Sequence, residues 1–162
     1  MTALQSPTSA NTCAPNTPIE LRFLGEPAPQ GSKVQTRWGG MREVSAKVQP
    51  WRASVQYACD QQYQGPVITG PVAMEVTFVL PRAKGHYGTG RNADKLKPSA
   101  PEHCTIGGDI DKLARGLLDP LTVRCGGNVL EDDRQIVELR LQKRYAARTE
   151  SAGALVKVIP LR

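Results

Sequence analysis

Apolar and polar residues alternate over residues 19–24, Ile-Glu-Leu-Arg-Phe-Leu, placing Ile19, Leu21 and Phe23 on one face of a half-buried strand. Pro27, Pro29 and Gly31 stop the pattern. Residues 33–44, KVQTRWGGMREV, read as two short strands around a Gly39-Gly40 turn. The period then changes: Trp51, Val55 and Ala58 recur at helical spacing, which predicts a helix over 50–63 with Pro50 in its first turn and Gly65-Pro66 as its stop. Trp51, Val55 and Tyr57 are expected in the core. The β-branched and aromatic run VAMEVTFVLP, 72–81, predicts a central strand. Ile110, Leu113 and Leu117 share a face of a second helix, for which Asp109 is the expected N-cap and Pro120 the stop. After a turn at Gly126-Gly127-Asn128, the segments RQIVELRLQKRY and ALVKVIPL supply two more strands. The order of elements predicts an α+β fold, a single domain with a mixed β-sheet and helices packed on one face.

Composition narrows this picture. The 162 residues suffice for one domain, expected over 18–162, while residues 1–17 are rich in Ser, Thr, Pro and Asn and predict a flexible tail. Twenty-one Lys and Arg against fifteen Asp and Glu leave a net +6, which favours a polyanionic partner. Cys13, Cys59, Cys104 and Cys125 are too scattered for a zinc module or a disulfide framework. No signal-like segment or membrane-length apolar run is present, so a cytoplasmic protein with no membrane partner is expected.

Between Arg82 and Lys97 lies a long irregular segment with five cations and one Asp. Its Arg82, Lys84, Arg91, Lys95 and Lys97, together with Lys33 and Arg37 of the first hairpin, are expected to contact phosphates irrespective of sequence, with strong salt dependence. His86 and Tyr87 read as solvated loop positions, with stacking on an unpaired base as the lesser reading.

Against this cationic background, acids gather at Asp109, Asp111 and Asp119 and in the triplet Glu131-Asp132-Asp133. Asp109 and Asp111, two apart where an extended segment enters a helix, can project to the same side. Two carboxylates at ~4 Å repel by about 4 kcal/mol at an effective dielectric near 20, a penalty that a divalent cation removes. Mg²⁺ suits such oxygen ligands, holding substrate phosphate oxygens alongside one or two carboxylates, as phosphodiester hydrolysis requires. Lys112 and Arg115 stand within a turn of Asp111, where their charges can meet a phosphate. The same residues also admit a purely structural reading, in which Asp109 is a cap, Asp111–Arg115 and Arg115–Asp119 are surface pairs and EDD is turn chemistry. The protein would then be a non-catalytic basic DNA-binding protein.

The combination DIDKLARGLLDPLT followed by EDDRQIVEL resembles the RusA family of Holliday junction resolvases, whose signature runs D-x-D-[NK]-L, a basic residue, L-D-x-L-T, then D-D-x-Q-[VI]. The strong likeness spans Gly107 to Tyr145, and GEPAPQGSK and the 71–101 segment are similar to phage-type members. The resemblance implies a homodimeric, metal-dependent endodeoxyribonuclease that nicks two opposed strands of a four-way junction; Mg²⁺ (or Mn²⁺) is the ion expected for it, and other branched DNA, flaps and forks, is the alternative substrate. It implies Asp109, Asp111 and Asp133 as catalytic metal ligands, Asp132 as the neighbouring acid, and Arg115 at a position where the family places a lysine. Gly108, Pro120 and the longer 122–130 link depart from the pattern; a proline or basic residue is frequent where Gly108 stands.

Overall fold

A computed structural model of the chain describes residues 17–31, 33–43 and 46–162, with backbone alone at 33, 34 and 41–43. All but the last residue of the expected 1–17 tail lies outside the described residues. The elements run β1 (Ile19–Leu24), β2 (Lys33–Gln35), β3 (Met41–Glu43), α1 (Val48–Gln62), β4 (Val72–Leu80), α2 (Ile110–Leu118), β5 (Ile136–Tyr145) and β6 (Gly153–Pro160), with short 3₁₀ turns between them. β2 and β3 form a separate antiparallel ribbon, and the other strands form a sheet of order β1-β6-β4-β5. β4 and β5 are parallel while β6 runs antiparallel to both β1 and β4, so the sheet is mixed, as expected.

The period of two in β4 decides where the core lies. Val72, Met74, Val76 and Phe78 are buried on the helix side, and Glu75 and Thr77 point the other way. Leu21 and Phe23 of β1 and Val156 and Val158 of β6 continue that apolar face, which α1 covers with Val48, Trp51, Val55 and Cys59 and α2 with Leu113 and Leu117. Helices therefore occupy one face of the sheet. Burial pushes the Cys59 thiol up to about 12, with Asp60 adding to it, so this sulfur is an inert core group.

Two expectations need correction in α1. The helix starts at Val48 rather than at 50, because Val48 is fully buried and a proline at the third helical position still removes no intrahelical hydrogen bond. Tyr57 is 69% exposed and not in the core. It stands two residues, about 200° of helical rotation, from Val55, outside the stripe 48, 51, 55, 59.

The segment after β4 is more ordered than its composition predicts. The Gly88 N–H donates to the Lys95 carbonyl and the Lys97 N–H to that of His86, so the basic segment doubles back on itself between 3₁₀ turns at Lys84–His86 and Gly90–Asn92. His86 is half-buried, its ring edge-on to Tyr145 with centroids 5.6 Å apart, rather than solvated. Tyr145, Leu80 and Cys104 form a small second core under this loop.

The turn after β5 is held by Glu150, whose carboxylate accepts from both Nη atoms of Arg144 at 2.6 and 2.7 Å and from the Ala147 N–H at 3.0 Å. The Arg144 hydrogen bonds, then that of Ala147, hold the Glu150 carboxyl down at about 2 against an ordinary 4.5. A depressed carboxylate contributes stability above its unfolded pKa and loses it as pH falls through the folded value. Wild type is therefore expected to be more stable than Glu150→Gln by a constant margin above about pH 5. That margin should shrink to nothing between about pH 4.5 and 2 in urea titrations at stepped pH.

Candidate active site

The mouth of α2 is shaped by two glycines. Gly107 and Gly108 sit at φ +85° and +95°, and a Cβ would meet Leu80 Cδ1 at 2.5 Å on the first and Pro29 Cγ at 2.8 Å on the second. The chain is thus threaded between the end of β4 and the 28–30 segment before it delivers Asp109 to the helix. The same segment runs along α2: the Gln30 N–H donates to the Lys112 carbonyl at 2.9 Å, and a Cβ on Gly116 would meet the Ala28 carbonyl oxygen at 2.5 Å.

Asp109 occupies the N-cap position, yet its carboxylate makes no capping hydrogen bond and instead pairs with Lys112 Nζ at 2.8 Å. The Lys112 hydrogen bond and charge, with Lys143 further off, hold the Asp109 carboxyl below its usual range. Lys112 is raised in turn by Asp109, and Asp111 adds to this. Asp111 lies exposed in the first turn and Arg115 exposed one turn on; neither forms an ion pair with any described residue. The Asp111–Arg115 and Arg115–Asp119 surface pairs of the purely structural reading are not formed among the described residues.

A second acidic group stands beyond the other end of α2. Asp119, the C-cap residue, accepts from Arg52 Nη2 at 2.5 Å, and the same nitrogen donates to Gln30 Oε1 at 3.0 Å. Asp119, Asp132 and Asp133 line one concavity of about 230 Å³ together with Thr122, Arg124 and Cys125. Within it, Asp132 is a turn cap. Its carboxylate accepts from the Arg134 N–H and Nε at 3.0 and 2.9 Å, while its N–H donates to Gln135 Oε1, whose amide is anchored on the carbonyls of Ile68 and Gly70. The Arg134 side-chain and backbone hydrogen bonds hold the Asp132 carboxyl at about 2. Asp133 is exposed.

A family match resolves what this surface belongs to: the family described as "Endodeoxyribonuclease RusA" matches residues 25–157. The chain belongs to the RusA family. Its mixed sheet with two helices is the RusA-like α+β fold, and its activity class is that of an endodeoxyribonuclease. "Uncharacterized protein YqaN" of Bacillus subtilis (strain 168) is 28% identical over 131 residues, covering 79% of this chain and 88% of that protein. No helix among the described residues is long and apolar enough to cross a membrane.

Within this RusA-family fold, Asp109 and Asp111 stand at the start of α2, while Asp132 and Asp133 line the concavity with Asp119. Carboxylate pairs flanked by cations are the donors that a hard cation such as Mg²⁺ takes together with phosphate oxygens, and Asp109 with Asp111 meets that requirement. Among the described residues, however, no three His, Cys, Asp or Glu side chains lie close enough to hold one ion. Asp133 shares its concavity with Asp119, and the nine residues of α2 put about 13 Å of helix between Asp119 and the Asp109 mouth.

The basic positions divide similarly. Lys84, Arg91 and Lys95 are exposed along the loop after β4, and Arg37 is exposed in the β2–β3 turn; the Lys33 side chain is outside the described set. Arg82 and Lys97 are also tied to the fold: the Arg82 guanidinium lies 4.1 Å from the Tyr145 ring centroid and donates to the Pro101 carbonyl, and Lys97 Nζ donates to the Gly85 carbonyl. Sequence reasoning missed Lys143, which donates from β5 to the carbonyls of Gly108 at 2.9 Å and Ile106 at 3.2 Å. Its signal was a cation at a helix-facing position of β5, between Leu141 and Tyr145. It also missed Arg52, whose pairing with Asp119 spans 67 residues and has no local signature.

Proposed function

We propose that this chain resolves four-way DNA junctions as a homodimer, by paired symmetric nicks that depend on Mg²⁺ or Mn²⁺. The observation that carries this reading is the exposed Asp109–Asp111 pair at a helix mouth ringed by Lys112, Arg115 and Lys143, inside a RusA-family fold. Asp109 and Asp111 would hold the ion, with Asp133 as the third carboxylate and Asp132 as its neighbouring acid. When bound, a divalent ion lowers the pKa of a coordinated water and neutralises charge on the phosphate. Lys112, and more distantly Lys143, set positive charge beside the Asp109 carboxylate and lower its pKa. Arg115 contacts a non-bridging phosphate oxygen one turn along, where its planar guanidinium can make two parallel hydrogen bonds in place of the single contact of a lysine. Lys84, Arg91, Lys95 and Arg37 bind backbone phosphates outside the cut.

A dimer suits the two-fold character of the substrate, since two symmetry-related sites meet two opposed strands. Edge strand β5 supports it: its outer edge is unpaired among the described residues, with Val137 and Leu139 63% and 40% exposed.

The test is incubation of the purified protein with an end-labelled immobile four-way junction, with and without Mg²⁺, alongside flap and fork substrates. Paired symmetric nicks on the junction, only with the metal, are the expected result. Junction binding without any nick in either condition would leave a basic DNA-binding protein, and nicks confined to flaps or forks would reassign the substrate.

A further inference from the structure

A second cavity, of about 300 Å³, opens where β4 and β5 end side by side, and the nicking chemistry makes no use of it. Its wall includes Arg82, Tyr87, Ala93, Ala146, Arg148 and Glu150. The carboxylate of Glu150 is already committed to Arg144 and the Ala147 N–H, so it offers little to offset the two guanidinium groups. Arg148 has only a 3.8 Å pairing with Asp94, both side chains more than half exposed, which holds it weakly. Arg82, by contrast, is anchored over Tyr145 and on the Pro101 carbonyl. The cavity therefore combines an aromatic ring, a fixed guanidinium, an available cation and small alanines that leave room between them.

We propose that this cavity receives one unstacked nucleotide of the bound DNA, its base against Tyr87 and Arg82 and its phosphate on Arg148. The assignment rests on the branched-DNA reading above. Aromatic rings and guanidinium planes are the surfaces on which unpaired bases stack, and every base has such a face. The volume is at the small end of ligand sites, which suits one nucleotide rather than a run of them. The position fits as well. Tyr145, which carries Arg82, packs with Leu80, and Leu80 in turn abuts Gly107, two residues before Asp109. Tyr145 and Leu80 thus link the cavity wall to the turn before the helix mouth, so a nucleotide flanking the cut can be withdrawn from the stack while the backbone stays at the carboxylates. Extrusion costs least where pairing is already weakened, as at a branch point.

The experiment binds the full chain, without divalent metal so that no nick forms, to four-way junctions carrying 2-aminopurine at each position near the branch. At one position, emission is expected to change about threefold on binding. Tyr87→Ala and Arg148→Ala should each remove most of that change and weaken junction binding by about tenfold, in line with the loss of one stacked base. Ala93→Trp fills the cavity without removing charge and should abolish the signal too; thermal melts establish that each variant is folded. If no position responds while the same preparation binds the junction and nicks it with Mg²⁺, the nucleotide pocket is wrong and the nuclease reading survives. A preparation that neither binds nor nicks branched DNA fells both. Calorimetric binding of free deoxyadenosine monophosphate with no signal from the junction would overturn the in-strand assignment in favour of a free nucleotide.

Discussion

Asp133→Asn is expected to slow junction nicking by at least ~100-fold, about 3 kcal/mol of transition-state stabilisation, while junction affinity is unchanged or tighter. Affinity holds because the substitution removes a negative charge from a surface that faces phosphates. The structure adds a comparison that sharpens this result. Asp132, the residue before it, is committed to the Arg134 N–H and guanidinium as the cap of a 3₁₀ turn, whereas Asp133 is exposed in the concavity. Asparagine caps nearly as well as aspartate, so Asp132→Asn should keep the turn and lose far less activity than Asp133→Asn. Single-turnover nicking of a labelled junction, with affinity measured by gel shift in the absence of metal, separates the two. Wild-type nicking by Asp133→Asn would remove that residue from the catalytic assignment, and equal losses in both variants would mean that the turn as a whole, not one carboxylate, is needed.

Gly108→Pro, which restores a residue frequent at this position in the resembled family, should instead damage the protein by ~3 kcal/mol or more. Proline demands φ near −65°, and Gly108 stands at +95° with Pro29 Cγ 2.8 Å from where a Cβ would lie. Gly108→Ala meets the same contact and the left-handed penalty of ~1–2 kcal/mol. The damage should not be confined to stability. The Gly108 carbonyl receives Lys143 and its residue precedes Asp109, so moving this turn displaces both a cation and a carboxylate of the candidate site. Chemical denaturation should report the stability loss, and nicking measured where the variant remains folded should still be reduced. A Gly108→Pro protein with wild-type midpoint and rate would show that this turn does not shape the site.

Much of this molecule was legible along the chain. The alternation at 19–24, the apolar run at 72–80 and the helical stripe Ile110, Leu113, Leu117 marked β1, β4 and α2, because the sheet buries one face and each side chain's direction follows from a local period. The acidic motif and its basic neighbours were equally visible, since a family signature is a matter of residue type and spacing. What the chain by itself could not decide is which side chains meet. Arg52 reaching Asp119, Lys143 reaching back to Gly108, and Arg82 settling on Tyr145 depend on how strands and loops distant in sequence stack in space. The place of Asp133 beside Asp119 has the same origin: spacing along a chain places residues on elements, and only packing brings the turn before β5 next to the end of α2.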